Sequence, residues 1–158
     1  MFDIDKLLNS DVVCAQMPAQ SRKRALQLMA EMVADDQLNA DTLFDELMVR
    51  ERLGSTGLGD GVAIPHCRVD CAQMRACFVS LPEPIDYEAS DGQPVDLLFT
   101  LIVPMHEQHA HLEALAALSG VFAQPDNRQA LRCCETADSL KQSLKRQLLV
   151  NQTQARKG

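Results

Sequence analysis

The sequence has no concentrated run of Lys and Arg, no apolar stretch of membrane length and no Cys-x2-Cys pair. Each absence removes a class of function. The 15 Lys and Arg residues are outnumbered by 22 Asp and Glu, a formal net charge of −7. Nucleic-acid binding needs clustered cations to meet the phosphate backbone, so no nucleic-acid partner is expected. The longest apolar stretch, residues 97–103, is interrupted by Thr100 and stopped by Pro104, far short of the roughly 20 residues that span a bilayer. The first residues, Met1-Phe2-Asp3-Ile4-Asp5, place acids where a secretory signal needs a basic segment and then an apolar one. A cytoplasmic protein without membrane insertion is expected.

Cysteine chemistry is equally restricted. Six cysteines in 158 residues are sparse for a disulfide scaffold, and without an export signal they are expected to be reduced thiols. His66, Cys67 and Cys71 lie close together in sequence, but their spacing is not that of a structural zinc site. Cys133-Cys134 is a vicinal pair that cannot easily give two bonds to one tetrahedral ion. No metal and no cofactor are expected.

At 158 residues the chain suits one domain, expected over residues 1–150, with residues 151–158 a polar tail expected to fray. Ser21 precedes a run in which Leu26, Met29, Met32 and Val33 recur at helical spacing, which predicts a capped amphipathic helix. A second helix is predicted from Asn39 or Asp41 to about Arg50. The first dozen residues are expected to dock as a short turn or strand. Residues 54–61 hold four of the seven glycines, too dense for a helix or regular strand, and are read as a loop. That loop leads into a short apolar strand, 62–66, ending on His66. Residues 76–81 are read as a strand closed by a turn at Pro82 and Pro84, and 95–103 as a buried strand ending at Pro104. From Glu107 the pattern becomes helical, with Leu112, Leu115, Leu118 and Phe122 on one face. Two more helices are predicted, about 127–133 and 137–149, the second with Leu140, Leu144 and Leu148 at four-residue steps. Helices at both ends around central strands indicate a layered α/β domain.

The glycine-rich segment is neither a Walker loop, since no Gly-Lys-Ser/Thr follows, nor a dinucleotide fingerprint. It can present backbone N–H groups and two hydroxyls to an anion, although alone it is as well explained as a tight connection. His66 follows directly, behind the rigid Pro65. A neutral imidazole is a nucleophile suited to holding and releasing a phosphoryl group near neutral pH; a lone histidine there would better suit a hydrogen-bonded structural role.

Two longer blocks go further. RERLGSTGLGDGVAIPH at residues 50–66 resembles the active-site segment of the nitrogen-regulatory enzyme IIA proteins. These belong to the mannitol/fructose-type IIA superfamily of the phosphoenolpyruvate:carbohydrate phosphotransferase system. QPVDLLFTLIVP at residues 93–104, followed by His111-Leu112, is similar to the family's next signature. The resemblance implies a three-layer α/β/α fold with a central mixed β-sheet flanked by helices. It also implies that His66 receives a phosphoryl group, at Nε2, from a phosphohistidine carrier protein of the HPr or NPr type. His111 falls on the second active-site histidine and Arg50 on the active-site arginine. Phosphoryl transfer is mostly placement and charge stabilisation. Arg50 would neutralise phosphoryl oxygens with its planar fork, and His111 would donate a hydrogen bond. Ser55, Thr56 and the Gly57 N–H are expected to line the remaining oxygens, while His106 and His109 are left on the surface.

Two positions depart from the family pattern: Cys67 replaces the glycine that usually follows the active-site histidine, and Arg68 replaces a lysine as a flanking positive charge. If position 67 needs φ > 0, cysteine would be strained there; if not, its thiol would crowd the site. The role implied is a regulatory phosphotransferase component whose phosphorylation state controls protein targets. The alternatives are a sugar-transport IIA that passes phosphate to a IIB domain, and a binding module that is never phosphorylated.

Overall fold

The computed structural model describes residues 2–157. A four-residue helix α1 (Ile4–Leu7) and a 3-10 turn (Ser10–Val12) lead into a two-residue strand β1 (Val13–Cys14). The N-terminal segment is thus a helix and a strand in succession, anchored by the buried Ile4, Leu8 and Val13. Helix α2 (Arg22–Val33) begins where Ser21 Oγ accepts the Arg24 N–H. Helix α3 (Ala40–Arg52) begins where Asn39 Oδ1 accepts from Asp41 and Thr42. Both caps satisfy first-turn amides that have no partner inside the helix.

The strands β2 (Gly57–Gly59), β3 (Val62–Ala63), β4 (His66–Val69), β5 (Arg75–Ile85) and β6 (Val95–Pro104) complete a mixed six-stranded sheet. Its order is β1-β5-β6-β3-β2, and β4 also pairs with β6 beyond the end of β3. β5 runs antiparallel to β6, whereas β1 on β5 and both β3 and β4 on β6 are parallel.

Three strand boundaries differ from the sequence reading. The glycine-rich segment is partly a strand: β2 forms an antiparallel hairpin with β3. Its glycines serve the turn, where Gly59, Asp60 and Gly61 have φ of 95°, 58° and 83°, a region that glycine enters without steric cost and Asp tolerates. His66 does not end a strand but opens β4, because the chain leaves the β6 ladder at Ile64-Pro65 and rejoins it at His66↔Leu101. β5 continues through Pro82 and Pro84 to Ile85, with a register shift after Ser80. Prolines are tolerated there because the ladder is already broken and the segment is exposed.

Alternation along β6 splits the core into two. Leu98 and Ile102 pack with Leu26, Met29, Leu43 and Leu47 of α2 and α3. Leu97, Phe99 and Leu101 pack on the opposite face with α4 (Ala110–Phe122), α5 (Pro125–Arg132) and α6 (Ala137–Lys157). Period-2 alternation on a sheet covered on both sides gives the three-layer α/β/α architecture. α4 starts three residues after the helical pattern begins, and α5 starts at Pro125, a residue well suited to a first helical position. Leu140, Leu144 and Leu148 of α6 are buried as their spacing implied, while Leu112 is exposed. α6 continues past Leu149 to Lys157, and Gln152 Nε2 donates to the Phe2 carbonyl at 3.4 Å.

Candidate functional site

The break between β3 and β4 fixes the geometry around His66. Pro65 has no N–H to give the ladder, but its carbonyl accepts from Leu101 at 2.9 Å, so the segment stays on β6. The Ile64 carbonyl turns to His66 Nδ1 at 2.8 Å. A carbonyl only accepts, so Nδ1 carries the ring proton and Nε2 keeps its lone pair. The half-buried His66 is thereby oriented with Nε2, the nucleophilic nitrogen of the neutral ring, free of that bond.

Cys67 shows neither the strain nor the crowding weighed above. It is an ordinary strand residue outside the positive-φ positions, and it points away from His66 into the α2/α3 core. Burial, assisted by the negative charges of Glu46 and Cys71, pushes its thiol up to about 12. Among the described residues no group of three or more His, Cys, Asp or Glu side chains gathers as a metal site would require.

α3 packs against β4 and carries Arg50 in its last turn. Arg50 Nη1 donates to the Gly54 carbonyl at 2.7 Å, which ties the guanidinium to the loop. That loop meets His66 through Ile64, whose N–H donates to the Thr56 carbonyl at 3.1 Å. Ser55 Oγ accepts the Gly57 N–H at 3.1 Å. Gly57 cannot carry a side chain, since a Cβ there would sit 2.8 Å from that of Ala89.

Thr56 is placed differently from the expectation. It is buried, its N–H donates to Glu51 Oε2 at 3.2 Å and its hydroxyl donates to Glu51 Oε1. Tyr87 Oη donates to the same Oε1 at 2.8 Å and lies 3.1 Å from the Thr56 hydroxyl. Arg22 Nη1 stands 3.9 Å from Oε2. A fully buried carboxylate thus anchors the loop from beneath, and both polar groups of Thr56 are committed to it. Glu51 and Tyr87 have no role in the sequence reading. Glu51 follows Arg50 in the motif, yet nothing local marks it as buried, and Tyr87 lies 36 residues away.

His111 sits in the first turn of α4, which is capped by the Glu107 carboxylate through the His109 and Ala110 N–H groups at 2.8 and 2.6 Å. Arg68 Nη2 lies 3.3 Å from His111 Nε2. Burial pushes the His111 imidazole below its ordinary 6.5, and the Arg68 cation pushes it further, against the opposing pull of Glu107. The charge of His66 acts in the same direction as Arg68, so the two histidines feel one another. His106 and His109 are exposed.

The family model for the phosphoenolpyruvate-dependent sugar phosphotransferase system, EIIA 2, matches residues 6–147. The chain belongs to this EIIA family. Its relatives include the nitrogen regulatory protein of Pseudomonas aeruginosa, 39% identical over 145 residues, covering 90% of this chain and 94% of that protein. The Escherichia coli nitrogen regulatory protein is 36% identical over 144 residues, covering 89% and 88%. The crystal structure of nitrogen regulatory protein IIA-Ntr from Neisseria meningitidis superposes with a TM-score of 0.85 at 36% identity, covering 89% of this chain and 98% of that one. The IIA mannitol structure from Escherichia coli, at 16% identity and a TM-score of 0.70 over 87% and 98% of the two chains, shares the fold. The resemblance to the nitrogen-regulatory EIIA branch and the three-layer architecture are both borne out. No helix among the described residues is long and apolar enough to cross a membrane.

Proposed function

We propose that this EIIA protein accepts a phosphoryl group on His66 Nε2 from an HPr-like or NPr phosphohistidine carrier and acts in the cytosol as a phosphorylation-dependent regulator of protein targets. The observation that carries the reading is the 2.8 Å bond from His66 Nδ1 to the Ile64 carbonyl, because it leaves Nε2 as the nucleophile. The Nε2 lone pair forms the new N–P bond as the donor's N–P bond breaks, and the donor nitrogen keeps that electron pair. Positive charge developing on the His66 ring is met at Nδ1–H by the Ile64 carbonyl. Arg50 supplies charge to the phosphoryl oxygens, and one of its terminal nitrogens is already held on the loop by Gly54. Ser55 accepts through its oxygen, which leaves its hydroxyl proton for a phosphoryl oxygen. His111 is the second histidine of the site. Thr56 supports the loop from Glu51.

Exposed apolar side chains occur on the same segments: Leu53 next to the Arg50-Gly54 bond, Leu58 on β2, Met105 after β6 and Leu112 beside His111. They suit the docking of a protein carrier. A phosphoryl group adds roughly −1.5 to −2 charges at neutral pH, enough to change the affinity of a target that covers this mouth. The test is intact-mass measurement after incubation with a phosphorylated carrier. The wild type gains one phosphoryl group and His66→Ala gains none; phosphate on His66→Ala refutes the assignment. Rapid onward passage to a IIB domain, with no partner that distinguishes the two states, would make the protein a transport component.

A further inference from the structure

Arg68 lies two residues beyond His66 on β4, so both side chains leave the strand on one face, while Cys67 and Val69 are buried on the other. Its Nη1 donates to the carbonyls of Glu107 at 2.6 Å, Pro104 at 3.2 Å and Met105 at 3.4 Å. Its Nη2 reaches His111 Nε2 at 3.3 Å. A guanidinium has donors only, so His111 Nε2 is the acceptor and the ring proton resides on Nδ1. That Nδ1 is buried and has no hydrogen-bond partner among the described residues. The turn that Arg68 holds is closed by the Glu107 N–H to the Pro104 carbonyl at 3.1 Å, and the Glu107 carboxylate then caps α4, the helix that carries His111. Arg68 therefore reaches His111 twice, directly at the ring and indirectly through the helix start.

We propose that Arg68 is a positioning residue for phosphoryl transfer: it fixes His111 in the tautomer protonated at Nδ1 and holds the turn that sets the start of α4. This rests on the proposed role of His66. One strand thereby carries both the nucleophile and the side chain that places its companion histidine. With Arg68 on Nε2 and Nδ1 buried, the His111 ring is held in one tautomer and one orientation. The planar fork matters as much as the charge, because a lysine ammonium cannot span the turn carbonyls and the imidazole together.

The experiment compares the full chain with Arg68→Met and Arg68→Lys. Ring ¹⁵N shifts of the unphosphorylated proteins, read by long-range ¹H–¹⁵N correlation, report the His111 tautomer without any phosphoryl donor. The wild type shows a bare Nε2 and a protonated Nδ1, and Arg68→Met moves the ring toward the Nε2–H form. In single-turnover transfer from a phosphorylated HPr-like carrier, Arg68→Met lowers the rate constant at saturating carrier by up to about 10²-fold, as misplacement of a group does. The half-saturating carrier concentration is unchanged, and Arg68→Lys does not restore the rate. A His111 ring still protonated at Nδ1 in Arg68→Met, or a wild-type rate constant in either variant, overturns the proposal. The tautomer result is independent of whether His66 is phosphorylated, which the His66→Ala measurement decides on its own.

Discussion

Replacing Thr56 with valine keeps the shape of the side chain and removes only its hydroxyl, so it separates two roles for this residue. In the structure that hydroxyl lies between the Glu51 carboxylate and the Tyr87 hydroxyl, in a residue only 6% exposed where water cannot take its place. After the substitution Glu51 keeps the Thr56 N–H at 3.2 Å and the Tyr87 hydroxyl at 2.8 Å, so the buried charge loses one of three donors. A hydrogen bond to a charged group contributes about 1.5–3 kcal/mol. For a domain of this size each kcal/mol moves the melting temperature by about 2–4 °C, which gives a drop of about 3–12 °C. The assay is a thermal melt beside single-turnover transfer from a phosphorylated carrier. The loop-anchor role predicts the lowered melting temperature with a smaller loss of transfer than a missing transition-state donor causes, which is about 10²–10³-fold. An unchanged melting temperature with transfer reduced by that larger factor would show that Thr56 binds the phosphoryl group and that the Glu51 anchor has been misjudged.

The remaining predictions concern Cys67 and His111. Because burial pushes the Cys67 thiol up to about 12, it should resist alkylation at neutral pH while the exposed Cys133 reacts, and mild peroxide should change phosphorylation to the same small extent in the wild type and in Cys67→Gly. Protection of phosphorylation in Cys67→Gly alone would contradict this. The His111 imidazole is held below its ordinary 6.5 by burial and then by Arg68, so below that pH the unfolded chain takes up a proton that the folded chain refuses. Stability must therefore fall as pH drops from 6.5 toward the lowered folded value, and denaturant titrations of His111→Gln should show a flatter dependence in that window. An equally steep dependence would refute it.

What could be read from the sequence follows from how local each interaction is. The caps Ser21 and Asn39 bond within three residues, so a helix start is written in adjacent letters. Leu140, Leu144 and Leu148 reveal a buried stripe for the same reason, and β6 shows itself as an apolar run. β2 could not be seen because its strand character comes from pairing with β3, which composition does not reveal. Pro82 and Pro84 resemble a turn, yet the chain stays extended through them because pairing resumes at Ile85↔Val95. At the site, His66, Arg50 and His111 emerge from a motif, whereas the contacts that organise them do not. Tyr87 meets Glu51 across 36 residues and Arg68 meets His111 across 43. Such pairings have no local signature. Thr56 is the instructive case: a hydroxyl beside glycines suggests an anion ligand, and only the fold shows a buried acceptor already in possession of it.

The central claim is that the Ile64 carbonyl holds His66 Nδ1 and leaves Nε2 to take the phosphoryl group. The measurement is ¹H–¹⁵N–³¹P NMR of the full chain, ¹⁵N-labelled and phosphorylated by a histidine carrier, with the coupling to phosphorus assigned to one ring nitrogen. The structure predicts phosphorus on His66 Nε2 with Nδ1 still protonated, the tautomer set by the 2.8 Å bond. Phosphorus on His66 Nδ1, or on any other residue, would contradict it.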